Sequence, residues 1–342
     1  MTDLQGAIEP EPMLVPRVWG GDGLAGLGRR VPSGTVIGES WDLADLPADA
    51  PGGRSRIARG PGAGGTLREL IEADPAGVLG RARPGEDGGF PLLVKLLDAR
   101  QDLSVQVHPT PSYAARHPEA RVKSEAWYVL AAEPGARILR GLRPDPATGD
   151  RRRSADWIRR AAADGSIADA LEAVPAVPGE CHVLPSGLCH ALGGGMLVAE
   201  VQTPSDTTFR LWDWGRDGRE LHVEAAVECL TAADAPVDPP PPARAPDVAG
   251  PAQVVPLAQT PDFDLDVLVG GSGGRVPVTI PDLPVVLIAV SGSPRIETAG
   301  GAVTPAPGTT VLLPAACRDA AAELGPGHRL LRAVPAEDGR RP

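Results

Sequence analysis

An amide, an imidazole and a carboxylate occur close together in this sequence and could bind a divalent metal. Gln106 and His108 lie in an alternating run in which Ser104 is a third polar member, and Glu125 follows seventeen residues after His108. Alternation with a period of two places Ser104, Gln106 and His108 on one face of a strand. Together with Glu125 these ligand types suit zinc, provided that a fourth group arrives from elsewhere.

His190 is the residue that we expect to supply the fourth group. It follows a turn at Pro185–Gly187 and precedes a glycine hairpin, within a pattern typical of antiparallel strands. A competing interpretation takes Cys181, His182, Cys189 and His190 as a self-contained zinc site. Residues adjacent in a strand point to opposite faces, so the Cys–His pairs cannot all reach one ion. The two cysteines are therefore interpreted as small core residues.

Lysine is the rare basic residue of this chain. Of the 33 basic residues all but two are arginine, and the two lysines are Lys95 and Lys123. Arginine can replace lysine on a solvated surface, but it cannot lose its proton or supply a compact ammonium group. Lys123, two residues before Glu125, is thus a candidate for chemistry. The alternative for either lysine, and more so for Lys95, is a packing role of its apolar stem.

Composition limits the partners and the compartment. The 342 residues carry a formal net charge of −11, which excludes a broad basic surface for nucleic acid, so an anionic ligand needs a local basic pocket. The N-terminus lacks the features of a signal peptide, and no apolar run reaches the length of a membrane span. Four cysteines in so long a chain do not form a disulfide framework. We expect a cytoplasmic protein without nucleic-acid or membrane partners.

The elements that must position these residues are mainly short strands. Residues 13–24 and 35–43 have the pattern of strands that open a sheet. Thr66 is a plausible N-cap of a helical segment, residues 66–83, that Pro75 divides. Residues 154–174 are predicted to be helical with an interruption near Gly165. The sequence thus predicts a mainly β protein with a few helices.

A proline-rich stretch at residues 233–252 predicts a domain boundary, because proline cannot join a central strand. Residues 13–232 are the expected catalytic, metal-binding domain with helical insertions. Residues 253–342 contain short alternating strands with glycine and proline turns, and supply no cluster of ligands or acids. They are expected to form a second β domain without a site.

Four blocks of this sequence resemble the signature blocks of the type I phosphomannose isomerases in their short bacterial form. In chain order they are FPLLVKLLDARQDLSVQVHP, KSEAWYVL, PSGLCHALGGG and EVQTPSDTTFRLWDWGR, with WGG at Trp19–Gly21 and GESW at Gly38–Trp41 as supporting matches. The likeness covers roughly residues 13–230. It implies two cupin-type jelly-roll β-barrels, with short helical additions on the N-terminal one, and one zinc ion per chain.

The resemblance also implies an activity and roles for individual residues. The activity would be the interconversion of mannose 6-phosphate and fructose 6-phosphate by proton transfer through a cis-enediol. The metal ligands would be Gln106, His108, Glu125 and His190. Lys123 and Arg210 would lie in the active site and, with Ser104, would bind the substrate. The catalytic base is left open between Lys123 and Glu200, because both a lysine beside a metal and a carboxylate bordering the pocket can transfer a proton.

Some positions depart from the family pattern. Thr110 and Pro111 stand where acidic residues are frequent, and Leu192 replaces an aromatic residue found in some members. These departures leave the substrate open, so a sister isomerase for another hexose phosphate and a non-catalytic sugar-phosphate-binding cupin are alternatives. An Fe(II) oxygenase ranks below them, because Gln106 would occupy a position that oxygenases keep open. We expect a monomer whose partner is a small hexose phosphate.

Overall fold

Short alternating apolar runs, separated by glycine and proline turns, give a chain made mainly of strands. The computed structural model describes residues 3–47, 53–85 and 87–339. In chain order the strands are β1 (Glu9–Pro10), β2 (Met13–Gly21), β3 (Ile37–Leu43), β4 (Ile57–Arg59), β5 (Leu93–Ala99), β6 (Val105–Val107), β7 (Glu125–Ala132), β8 (Arg137–Leu142), β9 (Leu171–Pro175), β10 (Glu180–Leu184), β11 (His190–Leu192), β12 (Met196–Gln202), β13 (Phe209–Trp212), β14 (Ala243–Arg244), β15 (Gln253–Gln259), β16 (Phe263–Val269), β17 (Gly274–Pro277), β18 (Val285–Ser291), β19 (Arg295–Thr298), β20 (Gly301–Val303), β21 (Thr310–Leu313), β22 (Ala321–Leu324) and β23 (Arg329–Pro335).

Helices are fewer and shorter than the strands. They are α1 (Leu67–Ala73), α2 (Pro75–Leu79), α3 (Pro111–Ala114), α4 (Ala155–Asp164), α5 (Ser166–Asp169) and α6 (Val223–Thr231), with a 3-10 helix at Gly23–Leu27. The mainly β fold class expected from the sequence is confirmed. Among the described residues none of these helices is long and apolar enough to cross a membrane.

Two compact units make up the chain. The first comprises Met1–Val15, Asp22–Leu96 and Ala243–Pro342, and the second comprises Pro16–Gly21 and Leu97–Pro242. The divisions fall inside β2 and β5, so each of these strands contributes residues to both units. The boundaries expected at residues 232 and 253 stay a prediction. All the candidate site residues lie in the second unit, namely Ser104, Gln106, His108, Lys123, Glu125, His190, Glu200 and Arg210.

The first unit is built around antiparallel sheets from the C-terminal part of the chain. One sheet has the strand order β15-β16-β23-β18-β21 and another has the order β17-β22-β19-β20. The predicted helical segment that begins at Thr66 also lies in this unit. Thr66 and Glu69 form a reciprocal capping box at the start of α1, and Pro75 opens α2, so the expected division into two helices is confirmed.

A five-stranded antiparallel sheet in the second unit carries three of the candidate site residues, Gln106, His190 and Arg210. Its strand order is β13-β6-β11-β8-β9. One face of this sheet, including Val105, Val107 and Leu139, is buried in an apolar cluster with residues of α4 and α6. Because side chains alternate along a strand, the residues between these apolar positions point to the opposite face. Gln106 and Arg140 are therefore on that opposite face.

Strands β10, β7 and β12 supply the facing layer of the second unit. β7 lies between β10 and β12 and pairs antiparallel with both. A second apolar cluster joins Trp127, Leu184 and Val198 of this layer to Ile138 and Leu192 of the five-stranded sheet. The two layers thus enclose a common core, as in a jelly roll, in which strands are divided between two sheets. Polar residues on the same inner faces must lie beside this core.

One predicted helix is wrong at its C-terminal end. The interruption near Gly165 is confirmed, since Gly165 separates α4 from α5 in a left-handed conformation with φ of 82°. Residues 171–175, however, form the strand β9. Leu171 is buried, and β9 pairs antiparallel with β8. Pairing with an existing sheet outweighed the helical pattern, because strand formation depends on cross-strand neighbours that the local sequence does not reveal.

Candidate metal centre and active site

The strand register of the five-stranded sheet aligns four polar residues in one row. Arg210 on β13 is opposite Gln106 on β6, Gln106 is opposite His190 on β11, and His190 is opposite Arg140 on β8. Directly opposed residues share a face of a sheet. The row therefore places the two predicted ligands Gln106 and His190 side by side, with an arginine beyond each of them.

The facing layer contributes the acidic residues. Glu125 begins β7 and is opposite Leu184 on β10 and Gln202 on β12. Trp127, two residues further on, is opposite Glu200. Glu125 and Trp127 share a face because side chains alternate along the strand. That face is the inner one, since Trp127 belongs to the core between the layers.

Three of the four predicted ligands converge at one point. Potential ligand atoms of His108, Glu125 and His190 all lie within 4.8 Å of one another, and no other such group of histidine, cysteine and acidic residues occurs in the part of the chain that the structure describes. His108 Nε2 is 3.4 Å from Glu125 Oε2, and His190 Nε2 is 3.1 Å from Glu125 Oε1. Ligands at about 2.0–2.1 Å from a tetrahedral ion are separated by about 3.3 Å, a spacing close to these values.

Backbone carbonyls orient both imidazole rings for metal binding. Nδ1 of His108 is 3.1 Å from the carbonyl oxygen of Thr207, and Nδ1 of His190 is 2.8 Å from that of Leu188. A carbonyl oxygen only accepts, so each Nδ1 carries a proton, and in the neutral form of each ring Nε2 keeps its lone pair. In that form both lone pairs face the carboxylate of Glu125. A cation fits such a group of donors.

The charge state of the cluster fits a cation as well. All three side chains are fully buried, and neither oxygen of Glu125 accepts a hydrogen bond of ordinary geometry. Burial lowers the pKa of His108 to about 3, with a further contribution from Lys123. Burial alone would raise the pKa of Glu125, but Lys123 and His108 together hold it well below 4.5. A carboxylate and two neutral imidazoles are the forms that bind zinc or a similar ion.

Lys123 lies against the candidate metal-binding cluster of His108, Glu125 and His190. Its Nζ is 2.7 Å from Glu125 Oε2 and 3.3 Å from His108 Nε2. The side chain is almost completely buried. The structure therefore brings the rare lysine to the position where an ammonium group can contact a molecule bound at the cluster.

Gln106 and Ser104 lie beside the cluster. Gln106 Nε2 is 3.2 Å from His190 Nε2, and the Ser104 hydroxyl donates to Gln106 Oε1 at 3.2 Å. The amide oxygen thus faces Ser104, and a half-turn of the amide would bring the oxygen toward His190. The role of Gln106 as fourth ligand stays a prediction.

Glu200 contacts a tryptophan that packs against the cluster. The indole N–H of Trp127 donates to Glu200 Oε1 at 2.9 Å. The rings of Trp127 and His190 in turn pack nearly perpendicular to each other, with centroids 5.4 Å apart. Nothing in the sequence pattern of Trp127 beyond a suitability for sheets indicated this link.

Arg210 lies at the end of the row, next to Gln106. Its Nη1 donates to the carbonyl oxygen of Glu220 at 2.6 Å, and its buried Nε has no hydrogen-bond partner. Burial lowers the pKa of Arg210, and the neighbouring Arg219 lowers it further. From the sequence, an ion pair with Asp206 or Asp213 is the alternative role for this arginine. Asp213 instead pairs with Arg216 and Arg219.

The competing four-residue zinc site is not assembled. Cys181 and Cys189 are buried, and all four cysteines are free thiols. Cys189 belongs to the apolar cluster under the helices, whereas His190 points to the inner face. The interpretation of the two cysteines as core residues is confirmed, for the reason given by strand alternation.

Comparison with known proteins agrees with this architecture. The family described as "Phosphomannose isomerase type I, catalytic domain" matches residues 17–131. The chain is 36% identical over 226 residues to the mannose-6-phosphate isomerase ManA of Bacillus subtilis, covering 64% of this chain and 66%, just under two thirds, of that protein. It is 38% identical over 231 residues to the B. subtilis protein named "Probable mannose-6-phosphate isomerase GmuF", covering 65% and 67%.

A solved structure extends the likeness to nearly the whole chain. The crystal structure of the mannose 6-phosphate isomerase from B. subtilis superposes with a TM-score of 0.76 at 26% identity, covering 96% of this chain and 99% of that one. The expected cupin fold class is thereby confirmed, with the strands arranged in open rather than closed sheets. On these matches the chain belongs to the type I phosphomannose isomerase family.

Proposed function

We propose that this protein is a zinc-dependent aldose–ketose isomerase that interconverts mannose 6-phosphate and fructose 6-phosphate. The observation that carries the proposal is the convergence of His108, Glu125 and His190 with Lys123 at one buried point. The names of the relatives support the reaction and the substrate. The reaction moves a proton between C1 and C2 through a cis-enediol, so it needs a group that handles the proton and groups that stabilise negative charge on oxygen.

Zinc is the proposed metal, at one ion per chain. Two neutral imidazoles and a carboxylate, with the Gln106 amide as a fourth group, favour zinc over a softer ion because no thiolate takes part. When bound, such an ion would supply a Lewis acid for the sugar oxygen on which charge develops. The contribution of the chain is to hold these donors rigidly, by two carbonyl contacts behind the imidazoles.

Lys123 is the proposed proton-transfer group. Its Nζ is buried beside the ligand atoms, where it can hold or release a proton at the edge of the sugar. Glu200 is the alternative base. Its carboxylate accepts from the Trp127 indole, so it would reach the sugar from further away.

Arg210 and Ser104 are proposed to bind the substrate. Arg210 keeps a buried Nε that has no hydrogen-bond partner among the described residues, and its charge is permanent. It suits a position where an oxygen gains negative charge during the reaction. The Ser104 hydroxyl lies next to the Gln106 amide and can contact a sugar hydroxyl.

A coupled assay tests the proposal directly. The purified protein, loaded with zinc, is given mannose 6-phosphate and, separately, a panel of other hexose 6-phosphates. Turnover of mannose 6-phosphate is expected, and Glu125→Gln serves as the inactive control. Preference for another hexose phosphate would indicate the sister isomerase, and activity on none of them would refute an isomerase.

We propose a cellular compartment from the state of the cysteines. Four free buried thiols suit a reducing compartment such as the cytoplasm. We keep the expectation of a monomer with a small hexose phosphate as its partner.

A further inference from the structure

Arg140 is a buried arginine beside the metal-binding cluster that no pattern in the sequence indicated. It lies on β8 directly opposite His190, and its side chain is only 5% exposed. In the row of four polar residues, Gln106 and Arg210 are on the other side of His190. The candidate ligands are thus flanked by an arginine at each end of the row.

The guanidinium of Arg140 has no counterion in the described part of the protein. One nitrogen donates to the carbonyl oxygen of Pro240, whereas the buried Nε has no hydrogen-bond partner. Glu172 and Glu180 act on Arg140 only at longer range, and Glu172 is bound to Arg151 at 2.8 Å. A buried charge without a partner is strongly unfavourable unless a ligand neutralises it.

His182 supplies a second polar group without a partner in the same region. It lies on β10 opposite Trp127, the residue whose ring packs against His190. Its ring is fully buried, and neither nitrogen takes part in a hydrogen bond. The nearest acidic oxygen, from Glu180, is 3.5 Å from Nε2. An N–H donor buried in this way requires a partner, and the residues that the structure describes do not provide one.

Arg140 and His182 are electrostatically coupled. Burial lowers the pKa of His182 to about 4, and the charge of Arg140 contributes to this effect. At neutral pH the pair therefore offers one permanent positive charge and one neutral N–H donor. Among the described residues, the partly solvated Glu180 is the carboxylate that acts on both groups, and water screens its charge more than that of a buried acid. The combination suits an anion with several acceptor oxygens.

We propose that Arg140 and His182 bind the phosphate group of the substrate, on the side of His190 away from Arg210. The assignment rests on the proposed isomerase function. The reacting carbons and the phosphate are at opposite ends of a hexose 6-phosphate, so the phosphate must be held beside the ligands rather than at them. A neighbouring strand, about 4.8 Å away, satisfies this condition. The planar guanidinium binds phosphate through two parallel N–H donors.

Arg140 and Arg210 have different roles in substrate binding. Arg140 anchors an unreactive end of the substrate, so its removal weakens binding in the ground state and in the transition state alike. Arg210 lies beside Gln106 at the reacting end. A loss of uniform binding raises KM with little change in kcat, whereas a loss confined to the transition state lowers kcat.

Four variants test the assignment. Arg140→Met removes the charge at similar volume, Arg140→Lys keeps it without the planar fork, and His182→Phe removes the N–H donor. Arg137→Met is the matched control, because Arg137 is an exposed arginine on the same strand. The affinity for inorganic phosphate is measured by calorimetry, and kcat and KM for mannose 6-phosphate are measured with zinc-loaded protein.

Arg140→Met is expected to weaken phosphate binding and to raise KM by about 10- to 100-fold, the range of one charged hydrogen-bonding group, with little change in kcat. Arg140→Lys and His182→Phe should give smaller increases, and Arg137→Met none. If Arg140→Met fails to fold, as judged by near-ultraviolet circular dichroism, the other two variants decide.

Unchanged phosphate affinity and KM in the folded variants would overturn the proposal. Weaker phosphate binding with an unchanged KM would also overturn it, and would indicate a site for free phosphate. If the protein isomerises no hexose phosphate, the proposed function fails. In that case calorimetry still tests the anion site separately. A loss of phosphate binding in Arg140→Met supports the site, and an unchanged affinity for phosphate rejects it.

Discussion

Replacing Lys123 by arginine is the sharpest test of the proposed proton transfer. The change keeps the positive charge but removes the ability to act as a base, because the guanidinium keeps its proton at any pH that the protein survives. It also lengthens the side chain by one bond and replaces a compact ammonium by a planar fork. Lys123 Nζ is already 2.7 Å from Glu125 Oε2, so the larger group cannot occupy the same position.

The expected loss follows from this geometry. A positioned acid–base group contributes about a hundredfold or more to the rate, and a hundredfold loss corresponds to about 2.7 kcal/mol. We therefore expect kcat of Lys123→Arg to fall at least about a hundredfold. The coupled assay supplies kcat, and elemental analysis of the same sample supplies the zinc content.

Lys95→Arg is the matched control for this variant. Lys95 is the second lysine of the chain, and its Nζ lies over the ring of Trp41 at 5.1 Å. Arginine can maintain such a contact with an aromatic ring, so kcat should change little. A Lys123→Arg enzyme with near-native kcat and bound zinc would refute the role of Lys123. Glu200→Gln would then be the variant to measure.

Three further predictions follow from the site. The purified protein should carry about one zinc per chain, lose activity to a chelator and recover better with zinc than with iron, and a preparation with bound iron and oxygen uptake would contradict this. Arg210→Ala should abolish turnover at unchanged zinc content, because its guanidinium binds no metal, and loss of zinc would mark Arg210 as structural instead. The pKa of His182 is lowered to about 4 in the folded protein. Between about pH 6.5 and pH 4, His182 is therefore protonated in the unfolded chain but stays neutral in the folded protein. The stability present above pH 6.5 should therefore fall by up to about 1.4 kcal/mol per pH unit toward pH 4, and His182→Phe should show a flatter decline in urea unfolding.

Residue types and short-range spacing were enough to identify most of the candidate metal site. The alternating run that ends at His108 indicates that Gln106 and His108 share a face, and both side chains do lie at the cluster that includes His190. The turn at Pro185–Gly187 predicts a returning strand through His190, and β11 begins at that residue. Capping and proline signals likewise predicted α1 and α2 correctly. These features depend on neighbours within a few residues, which a single sequence contains.

Tertiary structure decided which distant residues meet, and with what consequences. Only the pairing of β8 with β11 brings Arg140 beside His190, and only the pairing of β10 with β7 brings His182 beside Trp127. The same dependence placed residues 171–174, which the sequence predicts to be helical, in the strand β9. Strand register is set by packing between segments far apart in the chain, and a shift of one residue would turn each side chain to the other face. The types of the ligands can therefore be read from the sequence by itself, whereas the carbonyls behind the imidazoles and the second buried arginine are consequences of the folded sheets.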